Sequence, residues 1–556
     1  MNLGEHHRSM GALLRARVEA FGDETAYAVW DGERFVARSW ASLWARASAV
    51  ARGLAASGVE PGQGVLFLLT EIEAAILGQW GAWLAGAAPT QVGLPYRLSD
   101  PAAFITELQS TAARLHANVL VTEASFATLA GKENRIGVTT IAALERAGHE
   151  SGLPLPGELP GVEEARAPAL VQLTSGSTGR PRGVVIPHDR LLLHLRSISE
   201  ALPATRTDSG VTWLPLHHDM GMIGGLLYPL FNAFVMHLCS PLHFRGDPYL
   251  WLRALSEVDA THTVGPPSAY AIVQRLAGRA ARDGLDLSRL RCAMIGAEPV
   301  PAALLRQFAD ALAPCGFRAK AFFPVYGLAE ATVAVSFPKP LSPTRVLRLD
   351  RRALERERVA RATSDEDREA LELVGVGAAL PRSEVKVVDD RGEPLPDRHV
   401  GEILVRSETG MAGYFEDPQA TAAAFVDGWL LTGDLGFLDA GQLFVTGRKK
   451  ELIIKGGRSI LPTVVEDAAA RVDGVRHGCV AAFGVYDQAR STERMIVVAE
   501  SKLAAAEQPK LARELRTYLQ SVGFEVDEVA IVAPATLPKT TSGKLQRRAL
   551  AAQFAS

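Results

Sequence analysis

Val171-Gln172-Leu173, then Thr174-Ser175-Gly176-Ser177-Thr178-Gly179-Arg180-Pro181-Arg182-Gly183, then Val184-Val185-Ile186 reads as an apolar strand, a turn of small hydroxyl residues and glycine, and a second apolar strand. Glycine and small side chains let successive backbone N–H groups converge on an anion, and Arg180 and Arg182 add positive charge. A triphosphate fits such a turn. It is not the GxxxxGK[ST] loop, since no Lys-Ser/Thr pair follows the glycines and a strand, not a helix, comes next. The bland alternative is a flexible Gly/Ser linker. Apolar strands on both sides argue against it, because linkers separate elements instead of sitting inside a strand–turn–strand unit.

Outward from this turn, short apolar runs alternate with amphipathic helical patterns. Residues 64–69 read as a strand and 71–85 as the helix after it, which predicts an α/β fold with helix-covered parallel sheets. Further on, 384–389 and 401–406 are Val/Ile-rich strands around the turn Gly392-Glu393-Pro394, which predicts an antiparallel, barrel-like region. Residues 347–372 are rich in Arg, Glu and Asp with little apolar periodicity, and composition favours a solvated helical insertion.

The 556 residues, 47% hydrophobic and 22% charged, exceed what one hydrophobic core supports, so two or more domains are expected. A net charge of −3 gives no broad basic field, so nucleic acid is not expected as a partner. The charge is uneven: residues 448–556 hold 17 Lys and Arg against 12 Asp and Glu, which sets off a small basic C-terminal unit. Cys239, Cys292, Cys315 and Cys479 form no CxxC pair, which suggests neither a zinc site nor a disulfide framework and favours a reducing cytoplasm. Residues 1–10 have no apolar core of a secretory signal and read as the start of the mature chain. The most membrane-like stretch, 74–94, is broken by Gly78, Gln79, Gly81, Gly86, Pro89 and Gln91. It reads as a buried helix and a strand, so no stable membrane insertion is expected.

The turn at 174–183 resembles the signature loop of the adenylate-forming superfamily, which includes acyl-CoA synthetases, luciferases, peptide-synthetase adenylation domains and fatty acyl-AMP ligases. Other motifs agree. Gly296-Ala297-Glu298-Pro299 stands where the family frames the adenine, and Tyr326-Gly327-Leu328-Ala329-Glu330 matches YGxxE. The resemblance implies that Tyr326 stacks on the purine and that Glu330, with Thr178 of the loop, serves Mg²⁺. Thr432-Gly433-Asp434 is similar to the motif whose aspartate accepts from both ribose hydroxyls, as a carboxylate suits a diol. Gly447-Arg448-Lys449-Lys450-Glu451 resembles the family hinge, with Arg448 toward ribose or phosphate and Lys450 at the pivot. Pro538-Lys539-Thr540-Thr541-Ser542-Gly543-Lys544 resembles the PKTxSGK ending, making Lys544 the expected catalytic residue. Joining a carboxylate to the α-phosphate of ATP brings two anions together, and a cation between them offsets that repulsion most in the transition state. Expected boundaries are 1–447 for a large N-terminal domain of parallel sheets plus a distorted β-barrel, and 448–556 for a small mobile α/β domain.

Trp213-Leu214-Pro215-Leu216-His217-His218-Asp219-Met220-Gly221-Met222-Ile223 resembles the acyl-pocket motif of the fatty acyl-AMP ligases. The resemblance implies that His218 approaches the substrate carboxylate or lines the acyl tunnel, and that Asp219, Met220, Gly221, Met222 and Ile223 line an aliphatic pocket. A Met/Leu stripe is also common in plain core. The 347–372 segment falls where those ligases carry an insertion that limits the CoA-using conformation. The expected reaction is therefore activation of a carboxylic acid by ATP, then transfer to the phosphopantetheine thiol of an acyl carrier protein, with CoA as the alternative acceptor. A peptide-synthetase module is not expected, since no carrier domain follows Lys544. A non-catalytic relative would be marked by loss of Lys544 or Glu330, and both are present. Arg182 stands where the family usually has lysine, and Val92-Gly93-Leu94-Pro95 and Gly265-Pro266-Pro267-Ser268 depart from its usual wording.

Overall fold

A computed structural model describes residues 7–94, 100–130, 136–155, 168–174, 181–367, 369–476, 478–488, 490–540 and 544–554. Two sheets with parallel cores form the base. Gly64–Leu68 lies between Ala88–Gln91 and Val119–Thr122, with Gly137–Thr139 at the edge, all parallel. The larger sheet runs Phe322–Pro324, Cys292–Ile295, His262–Gly265, Ser209–Thr212, Val235–Leu238 and Thr25–Trp30 in parallel, and closes with Phe35–Ser39 antiparallel. Buried strands of this kind read as continuous apolar runs because helices cover both faces. The stretch 74–94 folds as the helix Ile72–Leu84 and the strand Ala88–Gln91. No helix among the described residues is long and apolar enough to cross a membrane.

The helices that cover these sheets pack closely where the sequence supplies glycine. Trp40–Ala56 starts at Ser39, whose Oγ accepts from Ser42 N at 3.1 Å, and it crosses Ile141–Glu150. A Cβ at Gly53 would lie 2.1 Å from Leu144 O, and one at Gly148 would lie 1.8 Å from Ala49 O, so the two backbones touch and neither position accepts a side chain.

The signature turn is carried by an antiparallel pair, Pro168–Thr174 and Arg182–Pro187, extended by Gly413–Tyr414. Ser383–Val388, Gly401–Ser407, Trp429–Asp439, Phe425–Val426 and Gln442–Arg448 form a curled antiparallel sheet. Its register shifts at Glu402/Leu404 and again at Leu435/Gly436, and such bulges increase the local twist.

A small C-terminal domain has its own sheet, in which Thr492–Glu500 pairs antiparallel with Val480–Asp487 and parallel with Glu528–Val532. Val465, Val497, Leu515 and Leu519 fill one face and Leu537, Leu550 and Phe483 the other. All four cysteines are free and buried.

The 347–372 segment departs from the expectation of a solvated helix. Among its described residues only Arg351–Glu357 is helical, while Val346–Leu349 and Leu371–Val374 pair as antiparallel strands. Two of its charges are internal, while Arg352, Glu357, Arg361 and Asp365 face water. Arg351 and Glu355 are 3% and 5% exposed, and Leu349, Leu354 and Ala360 join one apolar cluster with Phe437, Phe444 and Leu461. The segment also reaches the small domain: Arg351 Nη2 donates to Val522 O at 2.9 Å, its guanidinium lies 4.3 Å from the Phe524 ring centroid, and Arg458 Nε donates to Glu355 Oε2 at 3.0 Å. Composition could not separate charges paired across domains from charges in water.

Candidate active site

Thr174 and Arg182 face each other at the open end of the signature hairpin. Ser175, Gly176, Ser177, Thr178 and Gly179 lie outside the described residues, as do Thr541, Ser542 and Gly543 before Lys544. The Arg182 guanidinium lies 5.2 Å from the centroid of the Tyr414 ring, and Tyr414 Oη donates to Glu330 Oε1 at 2.9 Å. The hairpin and the YGxxE segment therefore meet through one tyrosine. The Glu330 carbonyl is fixed in turn by Met411 N at 2.9 Å. Two residues on, Thr332 holds a left-handed φ of 72°, with its hydroxyl donating to Thr409 O. A β-branched residue in that region is strained, and the surrounding bonds must hold it there.

The parallel strands Cys292–Ile295 and Phe322–Pro324 end side by side and deliver the adenine-framing and YGxxE segments to one place. A Cβ at Gly296 would lie 2.7 Å from Val325 Cγ2, and one at Gly327 would lie 1.7 Å from Val333 O, so both glycines are required by close approach. Ala297 has φ 66°, and the Glu298 carboxylate accepts from Ser268 N and Ser268 Oγ, each at 3.1 Å.

Asp434 sits inside an eleven-residue strand after Gly433, whose φ of 70° kinks the chain. Tyr326 Oη donates to Asp434 Oδ2 at 2.7 Å, and Arg448 Nε lies 3.0 Å from Oδ1. Three residues assigned by resemblance to purine, ribose and phosphate are thus bonded to one another, and each carboxylate oxygen keeps a further lone pair. Burial raises the Asp434 pKa against the opposing charges of Arg448 and Lys544 and the Tyr326 bond. The same carboxylate holds the Arg448 pKa up against burial, which lowers it.

On the acyl side, His218 Nδ1 lies 2.7 Å from Asp219 Oδ1, which also accepts from Met220 N at 2.7 Å. Burial alone would raise the Asp219 pKa, but His218 and the Lys544 ammonium outweigh it and lower it. From Met220 to Leu227 the backbone is a π-helix, a wide turn frequent at functional sites. Met220, Gly221, Met222 and Ile223 are buried there; Met220, Met222 and Ile223 pack into the main apolar cluster, and Gly221 is pressed against Pro215 O.

Lys544 is exposed on a hairpin closed by Thr540 N to Lys544 O at 2.8 Å and Lys544 N to Thr540 Oγ1 at 3.1 Å. Its charge acts to lower the pKa of both Asp219 and Asp434. Lys450 is exposed, next to Lys449, which pairs with Glu402 at 2.8 Å.

Sequence reasoning missed Tyr414, and also Gln172, whose Nε2 donates to His217 O at 2.8 Å and ties the hairpin to the acyl segment. Neither stands in a pattern that marks it. Their roles come from contacts across 84 and 45 residues of chain.

With this geometry in hand, comparison with known proteins is specific. The AMP-binding enzyme family matches residues 14–415. A Mycobacterium tuberculosis protein named as a ligase, Rv1013, is 35% identical over 522 residues, covering 92% of this chain and 94% of that one. The medium-chain-fatty-acid–[acyl-carrier-protein] ligase TtuA of Teredinibacter turnerae is 34% identical over 416 residues, 70% of this chain and 63% of that one. Among solved structures, a chain from work on fatty acyl-adenylate ligases of E. coli and L. pneumophila aligns with TM-score 0.89 at 29% identity, over 98% of this chain and 97% of that one. Strand ends, curled sheet and terminal lysine thus come together in one framework, and the chain belongs to the AMP-binding enzyme family.

Proposed function

We propose that this protein joins an aliphatic carboxylic acid to AMP with release of pyrophosphate, and passes the acyl group to the phosphopantetheine thiol of an acyl carrier protein. The observation that carries the reading is the place of Lys544, whose charge acts on Asp219 at the acyl end and Asp434 at the ribose end. An ammonium there stabilises the charge that builds as a carboxylate oxygen meets the α-phosphate. No general base is required, because a carboxylic acid is already ionised near neutral pH.

The residues divide the work by position. Asp434 and Arg448 hold the ribose, and Tyr326, Gly296, Ala297 and Glu298 frame the base. Arg182, with Thr174, Ser175, Gly176, Ser177, Thr178 and Gly179, cradles the phosphates. His218 orients the acid, and the π-helix accepts its tail. The Glu330 carboxylate, turned toward Arg182 through Tyr414, is a hard oxygen donor of the kind Mg²⁺ takes alongside substrate phosphates, with Thr178 as a second donor. Bound there, Mg²⁺ would supply charge neutralisation on the phosphates. Domain boundaries at 447/448, an insertion at 347–372 and a cytoplasmic setting complete the proposal.

A carrier is favoured over CoA by the contacts of the insertion with the small domain, Arg351 to Val522 and Glu355 to Arg458, which oppose its rotation. The name of TtuA points the same way for that relative. Transfer to CoA is the second reading, since the ATP-facing residues serve it equally. Pyrophosphate release is expected to depend on added acid, and acyl-carrier formation to outrun acyl-CoA formation. Faster acyl-CoA formation with the intact chain would reverse the choice.

A further inference from the structure

Past the catalytic hairpin, Arg547 begins the last helix, Arg547–Phe554, three residues after Lys544. Its side chain is 15% exposed and makes three bonds of 2.7 Å: Nε to Glu466 Oε1, Nη2 to Glu466 Oε2, and Nη1 to Glu451 Oε2. Glu466 is itself anchored, since Oε1 also accepts from Ala482 N at 2.9 Å. The fork of a guanidinium fixes direction as well as distance, which one ammonium cannot do.

The position of Glu451 gives this clamp its meaning. Lys449, two residues earlier, is held to the large domain by Glu402 at 2.8 Å and Asp390 at 3.6 Å. Glu451 is held to the small domain by Arg547. Lys450 is thus the one residue between an anchor on each side. The Glu451 charge also reaches Asp434 and Arg448, so this carboxylate lies near the nucleotide site and Arg547 offsets it there.

We infer that Arg547 is a positioning residue that fastens the Lys544 hairpin to the small-domain end of the hinge, so that the angle of the small domain and the place of the lysine become one variable. The inference rests on the proposed role of Lys544 in adenylate formation. Loss of the clamp slows adenylation by letting the lysine wander, and leaves thiol transfer from a preformed acyl-adenylate unchanged.

The test measures both half-reactions on the full chain: acid-dependent pyrophosphate release, and transfer from added acyl-AMP to a phosphopantetheine thiol. Arg547→Met is expected to lower kcat for adenylation 10- to 100-fold with KM for ATP within twofold, to leave transfer within twofold, and to cause no further loss in a Lys544→Ala background. Arg547→Lys is expected to recover part of the rate. Equal loss in both half-reactions, or a multiplicative loss in the Lys544→Ala background, overturns the inference. If Arg547→Met fails to fold, Glu451→Gln takes its place, because the Glu466 pair survives. A several-fold loss confined to adenylation supports the clamp, and a wild-type rate overturns it. A wild-type adenylation rate in Lys544→Ala alone would instead sink the lysine assignment on which all this stands.

Discussion

The Asp434 side and the Lys544 side of the candidate site are built in opposite ways. Asp434 is buried in a long strand, with both carboxylate oxygens bonded to side chains of other elements. Lys544 is exposed on a short hairpin joined at its base by backbone and threonine hydrogen bonds. Preorganisation suits a group that must hold a nucleotide through the whole cycle. A group needed for one bond-forming step can ride on a part that moves. The contrast teaches that burial and catalytic importance are separate: the residue expected to matter most for the chemistry is the less enclosed of the two.

The largest expected effect tests the moving side. Lys544→Ala should reduce adenylation by about 10²–10³, the scale for removing one transition-state charge stabiliser, and spare transfer from supplied acyl-AMP. Equal damage to both steps would erase the contrast. On the fixed side, Asp434→Asn should raise KM for ATP by roughly 10- to 100-fold, since bonds to a charged group contribute about 1.5–3 kcal/mol each. Titration of ATP or AMP binding by calorimetry reads that change directly, and an unaltered affinity would count against a ribose contact. Tyr414→Phe keeps the ring under Arg182 and removes only the bond to Glu330, so a loss of up to about tenfold is expected in pyrophosphate release.

Much of this contrast was legible in the sequence. The strand–turn–strand at 168–187 and the antiparallel strands near 384 and 401 follow from short apolar runs between turn residues, and they form as expected. The Gly433-Asp434 step was harder, because glycine before aspartate suggests a turn, whereas the chain carries a positive φ through a continuing strand. The strand pair that flanks the helix of the 347–372 segment was not legible. Leu347 and Leu349 alternate over only four residues, and their partners Leu373 and Leu371 stand more than twenty residues away. Tyr326 was assigned by its ring, and its hydroxyl turned out to bond Asp434 across 108 residues. Long-range pairing of polar atoms leaves no periodicity to read.

The smallest expected effect separates the domains by acidity. His188, His194 and His262, all in the large domain, are buried, and burial depresses their pKa values to about 4, 3 and 4 from an ordinary 6.5. A depressed folded-state value means that unfolding takes up protons. The stabilisation these rings give as neutral groups is full above about pH 6.5 and is lost progressively toward pH 4, with about three protons taken up near pH 5. Thermal unfolding followed by tryptophan fluorescence should therefore shift to lower temperature between pH 7.5 and pH 5. The eight tryptophans all precede residue 430, so the signal reports on the large domain. A transition that stays put would mean these rings meet compensating partners in acid.

The hidden cysteines have a chemical consequence of their own. A mixed anhydride of acid and phosphate is an electrophile, and thiolates are the nucleophiles it meets most readily in a cell. Burial pushes Cys239 and Cys292 up to about 12 and raises Cys315 and Cys479 as well. At neutral pH a thiol near 12 is ionised in roughly one molecule in 100,000. Burial and a raised pKa make these four thiols poor nucleophiles toward such an anhydride.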